Sequence, residues 1–431
     1  MQTDRRNFLK RVGTASLGAS LLPSIVQASA LGRGDYLPPS DKINTILIGC
    51  GGMGRSNLNG FLDFDEVQVV AVCDVDENQS SMAKKMVNDK YGNSDCRVYS
   101  DYLDLLENEK ADAAILALPD HWHALIAIAV ANKGIDIYGE KPLARSIVEG
   151  RAIVDAAHRN NIVWQMGSWQ RSVRHFHRAA ELVRNGRIGK VDYVEVGLPD
   201  GGANIGNPPA QAVPKGMDWD MWLGPAPKVP YRGVKHGQWR WIMDYSGGQL
   251  TDWAGHHIDI AHWALDFDRT GPVEIEGKGR ANNNGIYNVL VEYDFNCLYE
   301  TGLYMRVANQ SKIRNGMGTY WQGNDGWIHV HRGGIKASDD NILEEKIGDG
   351  ETKLYESLNH IQNFLECMKT RKETITPVET GHRSISVGLL GEIAMLTEQK
   401  LYWDPLAEKF TDNNVYATRL LKRPYRNPWI L

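Results

Sequence analysis

The segment DWAGHHIDIAHW, residues 252–263, concentrates acids and histidines at helical spacing. Asp252 and His256 are four residues apart, so on an α-helix both side chains leave one face, and Asp259 continues that face at i+7. A carboxylate that accepts hydroxyls beside an imidazole that exchanges a proton can hold an alcohol and take up its hydroxyl proton. His257 competes for the ligand-facing position. The i+4 relation to Asp252 favours His256 and leaves His257 beside the substrate or behind it. Lys141, in GEKPLA, is a second proton-transfer candidate. The following proline fixes its turn, and a neighbouring positive charge lowers a lysine pKa toward neutrality. Asp252, His256, Asp259 and His262 also raise the question of a metal. One helix face supplies two ligands, and a third normally comes from elsewhere. No H-E-x-x-H pattern is present, so no metal is expected.

Such groups need a platform. KINTILIGCGGMGRSN, residues 42–57, predicts a strand, a glycine turn and a helix start. Gly49, Gly51 and Gly54 have the G-x-G-x-x-G spacing: one glycine for the tight turn, one for close approach of a pyrophosphate, one for helix–strand packing. Gly52 and Met53 lie within the same loop. The helix N-terminus offers free N–H groups to phosphate. A second strand, VQVVAVCDVD, ends in Asp74, twenty residues after Gly54. A carboxylate there accepts ribose hydroxyls and repels a 2′-phosphate, which favours NAD over NADP. Further strands end in Pro119-Asp120-His121-Trp122-His123 and in Glu140-Lys141-Pro142. Strand–helix alternation predicts a doubly wound parallel sheet with ligands at the C-terminal strand ends. Pro119, His123, Glu140 and Lys141 are therefore expected beside the cofactor. A helix is predicted from about Ser146 to Asn160.

The chain has 431 residues, 42% hydrophobic and 23% charged, with a net charge of −5. This length implies more than one domain. No basic stripe points to nucleic acid, and five cysteines without regular spacing suggest neither a disulfide framework nor a zinc ribbon. Arg5 and Arg6, followed by Phe8-Leu9 and a weakly apolar stretch ending in ASA at 28–30, read as a twin-arginine export signal. Later strands, KVDYVEVGL, YNVLVEYDF and YETGLYMRV, alternate in polarity. Two late helices are predicted, over NHIQNFLECMKTRK and TGHRSISVGLLGEIAML, the second packing back on the first domain. Trp219, Trp222, Trp239, Trp241, Trp253 and Trp263 crowd one stretch. Most are expected in the core, with one or two offering a flat face to a sugar ring. Trp169, Gln170 and Arg171 open the second domain within reach of the cleft.

GCGGMG, PDHWH, EKPLARS, LVRNGRIGKV, WLGPAP, GGQLTDWAGHHIDIAHW and TPVETGHRS occur in an order that resembles the glucose–fructose oxidoreductase, inositol dehydrogenase and rhizopine-catabolism family, from Lys42 to Pro405. The likeness is greatest to its exported, twin-arginine branch. The resemblance implies a Rossmann domain followed by an α/β domain whose large, mainly antiparallel sheet carries the substrate site and often an oligomer interface. It also implies that Lys141 contacts substrate and nicotinamide, that His256 is the acid/base and that Asp252 binds substrate hydroxyls. One departure is that the usual glycine two residues after the aspartate is Ala254, with Gly255 displaced by one.

The expected organisation is an export signal over 1–30, a linker over 31–41, a Rossmann domain over 42–165, a substrate and oligomerisation domain over 166–405 and a tail over 406–431. Substrate contacts are expected from Asp252, Trp169, Arg171 and His257. The expected activity is a periplasmic, NAD-dependent oxidation of a sugar or glycoside hydroxyl at C3. Free NAD is scarce outside the inner membrane, so the cofactor is expected to be retained, loaded before export of the folded protein. The alternative is a glycoside hydrolase that uses NAD without net redox change, because a C3 ketone acidifies the C2 hydrogen. Expected partners are a small sugar, the twin-arginine machinery and further copies of the chain.

Overall fold

The computed structural model describes residues 41–202, 205–233, 238–282 and 285–431. The export signal expected over 1–30, and the expected linker apart from residue 41, lie outside the described residues. Apolar runs alternating with helices build the first unit: β1 (Ile43–Ile48), α1 (Gly52–Phe61), β2 (Val67–Cys73), α2 (Glu77–Tyr91), β3 (Arg97–Tyr99), α3 (Tyr102–Asn108), β4 (Ala113–Leu116), α4 (His123–Asn132), β5 (Asp136–Gly139), α5 (Ile147–Arg159) and β6 (Trp164–Met166). The sheet order is β3-β2-β1-β4-β5-β6 and every pairing is parallel. Strand order reverses between β1 and β4, which opens a crevice at their C-terminal ends. The helix α5 starts where the sequence places it. Ser146 caps it by accepting from the Glu149 N–H, and its hydroxyl donates to Glu149 Oε2 at 3.0 Å.

The chain then runs through α6 (Arg174–Arg184), β7 (Val191–Leu198), α7 (Trp219–Leu223) and α8 (Gly248–Trp253). A π turn over Ala254–Ile258 leads into α9 (Asp259–Leu265). Strands β8 (Glu274–Ala281), β9 (Leu290–Leu298), β10 (Tyr304–Asn309), β11 (Gly318–Gly323), β12 (Trp327–His331) and β13 (Gly334–Ala337) follow. The last elements are α10 (Asp340–Glu344), α11 (His360–Thr370), α12 (Val378–Thr397), β14 (Leu401–Asp404), β15 (Lys409–Phe410) and α13 (Val415–Leu420). The second sheet has the order β13-β12-β11-β7-β10-β9-β8-β14-β15. It is antiparallel except for β7 beside β10. Its β9 alternates burial along its length, one face on the core.

The two units are not sequential blocks. Phe364, Leu365 and Cys367 of α11 enter the same apolar cluster as Leu58, Phe61 and Tyr138 of the first unit. The helix α12 is buried on nearly all sides. It joins the halves through Arg145–Glu392 and Arg151–Glu379, both at 2.7–2.8 Å, and through Gly388 against Ala254. The tail docks on both units as well: Arg423 on Glu149, Arg426 on Asp220 at 3.0 Å and Trp429 edge-on to Trp122 at 4.8 Å. No helix among the described residues is long and apolar enough to cross a membrane.

Candidate active site

The crevice at the switch point is a cleft of about 1130 Å³. Its floor is the glycine loop. Gly49 has φ +91°, and a Cβ there would sit 2.2 Å from the Ala117 carbonyl oxygen. A Cβ on Gly54 would lie 1.9 Å from the Gly49 carbonyl oxygen, so this glycine packs helix on strand and does not itself line the cleft. Gly51 and Gly52 have nothing within 4 Å of a Cβ and leave room for a ligand. The first turn of α1 carries no acidic residue and no side-chain cap, so its N–H groups remain available to an anion. Asp74 is fixed by two backbone donors, Cys50 N–H at 2.7 Å and Asp76 N–H at 2.9 Å. Met53, Asp74, Pro119, Glu140 and Lys141 all line the cleft. These features fit a dinucleotide: phosphate over the loop, ribose at Asp74.

His123 does not face the cleft. Its Nε2 meets the Leu118 carbonyl at 2.9 Å, so it fastens the strand-end loop and its cofactor role is indirect. Glu140 is held by Asn57 Nδ2 at 3.0 Å. Burial pushes its carboxyl above the usual range, against the pull of Lys141.

The opposite wall comes from the second unit. Met221, Trp222, Trp239 and Arg240 line it. The wall is bonded to the Rossmann loops: Glu77 N–H donates to Gly216 O at 2.8 Å and Asp218 N–H to Val75 O at 2.9 Å. His121 Nε2 and Trp122 Nε1 both donate to the Trp222 carbonyl, at 3.0 and 2.9 Å. Burial lowers His121 to a pKa of about 3, which keeps it neutral in this structural role.

Lys141 and Arg240, which both line the cleft, converge on Asp252: Lys141 Nζ donates to Asp252 Oδ1 at 2.7 Å, and Arg240 Nε approaches the same oxygen at 3.3 Å. Burial pushes the Asp252 carboxyl up, but Lys141 and Arg240 together outweigh it and hold the group below its ordinary range. Oδ2 has no partner among the described residues. His256 sits on the π turn, which lies against the Lys141 stem: a Cβ on Gly255 would be 3.4 Å from Lys141 Cβ. The Ser168 hydroxyl donates to the Gly255 carbonyl at 2.5 Å and fixes that turn. Burial, then Lys141 and Arg332, push the His256 pKa well below its usual value, so the imidazole is neutral. Its Nδ1 is enclosed without a partner among the described residues, which leaves Nε2 as the nitrogen open to a ligand. Trp253 and Trp169 meet its ring edge-on at 5.4 and 6.3 Å.

Three expectations need correction. The displaced glycine lies inside the π turn, and a π turn adds a residue to the helix. The i+7 face is therefore lost: Asp259 turns away from Asp252 and binds Arg171 through both carboxylate oxygens at 2.8 Å. Arg171 also holds Asp268 and lies over Trp263 at 5.1 Å. It is 2% exposed and belongs to the core beneath the site, not to a substrate contact. His257 is likewise buried, stacked on Trp253 at 5.5 Å, with burial lowering its pKa to about 3. It supports His256 from behind. His262 is bonded to the Tyr299 hydroxyl at 2.7 Å.

Of the six clustered tryptophans, Trp222 and Trp239 reach the cleft. Trp219 stacks on Trp222 at 4.7 Å, Trp241 packs beside Tyr287, Trp253 lies under the histidines and Trp263 under Arg171. Sequence reasoning missed Arg240 and Arg332. Arg240 stands between two tryptophans that drew attention as rings. Its link to Asp252 crosses a turn, and no spacing rule marks it.

The family model for the oxidoreductase family's NAD-binding Rossmann fold matches residues 43–168, and that for its C-terminal alpha/beta domain matches 202–431. Among curated relatives, a glycosyl hydrolase family 109 protein of Shewanella pealeana is 29% identical over 37% of this chain and 38% of its own length. An alpha-N-acetylgalactosaminidase of Tannerella forsythia is 29% identical over 35% of each chain. The match thus spans little more than a third of these relatives. A scyllo-inositol 2-dehydrogenase (NAD(+)) of Bacillus subtilis is 25% identical over 65% of this chain and 73% of its own. Among solved structures, the WlbA dehydrogenase of Bordetella pertussis, in complex with NADH and UDP-GlcNAcA, has a TM-score of 0.62 at 17% identity, over 84% of this chain and 99% of its own. An aldose-aldose oxidoreductase of Caulobacter crescentus has a TM-score of 0.60 at 15% identity, over 84% and 99%. With a parallel NAD-binding sheet, a mainly antiparallel second sheet and both family models matched in order, the chain belongs to the glucose–fructose oxidoreductase, inositol dehydrogenase and rhizopine-catabolism family of oxidoreductases.

Proposed function

We propose that this protein oxidises a hydroxyl of a sugar or glycoside, at C3, and keeps its NAD bound between turnovers. The observation that carries this reading is the neutral His256, on a turn that lies against the Lys141–Asp252 pair where Lys141 lines the cleft. When bound, NAD would supply the hydride acceptor and, in its reduced form, the donor that returns the hydride to the carbonyl of a second sugar, so that each cycle balances with the cofactor retained. The side chains do the rest. Asp252 Oδ2 accepts a sugar hydroxyl. Lys141, kept in place by Asp252, donates to the reacting oxygen as negative charge grows on it. His256 Nε2 takes the hydroxyl proton, a task for which its neutral form is required. Trp169 and Trp253 keep water from the imidazole.

Retention is supported by the wall from the second unit, which is bonded to the Rossmann loops on both sides of the cleft and braced by the tail. It also fits the twin-arginine signal and a periplasmic site of action. Changing Arg5 and Arg6 to Lys should leave a folded, NAD-loaded protein inside the cell, and normal export would remove this part of the reading.

A second reading, a glycoside hydrolase that oxidises C3 only transiently, is favoured by the names of the relatives. Its elimination step would use the same His256 and Lys141. One experiment separates the two. The purified protein is denatured and its released nucleotide identified, and the intact protein is mixed with gluco- and galacto-configured glycosides. Stoichiometric NADH with a ketosugar supports oxidation, and a primary isotope effect from deuterium at C3 places it. Free sugar with only transient NADH supports hydrolysis. Absence of NAD, or no reaction at any carbon, refutes both.

A further inference from the structure

Arg332 follows β12 at the rim of the site. Its guanidinium lies over Trp253 at 4.3 Å and Trp169 at 4.7 Å, the two rings that enclose His256. Nε donates to Gln170 Oε1 at 3.2 Å. The Gln170 amide is set in turn by contacts to the His256 carbonyl at 3.4 Å and His257 Nδ1 at 3.5 Å. The cation is thus oriented by the same turn that carries the acid/base. Yet among the described residues no carboxylate pairs with it and neither terminal nitrogen has a hydrogen-bond partner. A planar fork held at its base with both tips open is a bidentate seat for an oxyanion.

The charge balance agrees. Around the reacting end stand Lys141, Arg240 and Arg332 against Asp252. The next carboxyls, Asp120 and Glu140, are buried and engaged by Ser246 and Asn57. Burial pushes both toward their neutral forms.

We propose that Arg332 binds an anionic substituent of the sugar, so that the substrates are acidic sugars: uronates or sugar phosphate or sulfate esters. This inference rests on the sugar-oxidising reading above and narrows its substrate class. A brace against the tryptophans alone would need the plane of the guanidinium but not its free tips.

The test uses the full NAD-loaded protein and matched probes: methyl glucosides and galactosides, their 6-carboxylates, and their 6-phosphates and 6-sulfates. Reduction of bound NAD is followed by NADH absorbance as a function of probe concentration. One anionic series should exceed its neutral partner by about 10- to 100-fold in the second-order rate constant for reduction of bound NAD, the scale of a charge-assisted hydrogen bond. The preferred anion identifies the substituent. Arg332→Gln should bring the anionic-to-neutral ratio close to one, and Arg332→Lys should keep part of it. Thermal unfolding of each variant shows that the fold is kept, and the ratio within one variant is independent of how much of it is folded. Equal rates for neutral and anionic probes, or a preference unchanged in Arg332→Gln, would overturn the anion site and leave sugar oxidation standing. No reduction by any probe would overturn both.

Discussion

Replacing Lys141 by Met tests the centre of the site. The Lys141 and Asp252 side chains are only 14% and 11% exposed, with 2.7 Å between Nζ and Oδ1. Removing one partner of a buried pair typically costs roughly 3–5 kcal/mol, because the other charge is left uncompensated. Here Arg240 remains 3.3 Å from the same oxygen, which reduces the expected loss to about 2–3 kcal/mol. Asp252→Asn and the double variant complete a thermodynamic cycle. The coupling energy should be about 1.5–3 kcal/mol, as for residues in one charged network. Urea unfolding at pH 7 measures each corner. The pH dependence supplies an independent sign. In the wild type Asp252 titrates below its ordinary range, so its stabilisation is present above the unfolded carboxyl pKa of about 3.9 and fades as pH falls through the folded value. In Lys141→Met, burial becomes the dominant influence and the folded pKa moves above the unfolded one. The variant should then gain stability relative to the wild type as pH falls from 7 toward 4. Turnover should drop by roughly 10²–10⁴, with NAD still bound. A coupling energy below about 0.5 kcal/mol, or parallel stability curves for the two proteins between pH 7 and 4, would refute this account.

Asp74→Ala should weaken NAD binding by roughly 10- to 100-fold, since it removes the ribose acceptor and the anchor of Cys50 N–H together; calorimetric titration showing unchanged affinity would overturn the assignment. Arg171→Met should cost about 3–5 kcal/mol by stranding Asp259 in the core and leaving the half-buried Asp268 without its partner. At temperatures where that variant is folded its KM should be unchanged, and a raised KM in a fully stable variant would return Arg171 to the cleft.

Much of the first unit was legible in the sequence because its signals are local. The glycine spacing, the Asp74 strand end and the Ser146 cap each depend on residues a few positions apart. Lys141 and His256 could be named on the same ground. Their relation to the deeper residues could not. A π turn shifts every later residue of its helix, so Asp259 lies off the face that carries Asp252, and Arg171, expected at the cleft as the opening of the second domain, is held in the core by that displaced carboxylate. Arg240 and Arg332 act through tertiary approach, one on Asp252 and one across two tryptophans. Nothing in their own neighbourhoods marks them. The interleaving of α11 and the tail with the first unit was hidden for a related reason: an amphipathic helix states that it has a buried face and not which unit covers it.

The docking of the tail has a consequence for how the molecule comes to be folded. Arg423 reaches the carbonyl of His121, 302 residues earlier, and Trp429 packs on Trp122, which lines the cofactor cleft. Contacts of such span form late, because closing a long loop is entropically unfavourable until the intervening chain has condensed. The parallel sheet can assemble early, but the cleft is complete only when the second unit and the tail have settled on it. NAD that binds the finished cleft and not the earlier forms draws the last step of folding to completion by mass action. The cofactor thereby becomes the final element of the tertiary structure, and refolding without it should stall at a form with an intact sheet and a loose tail.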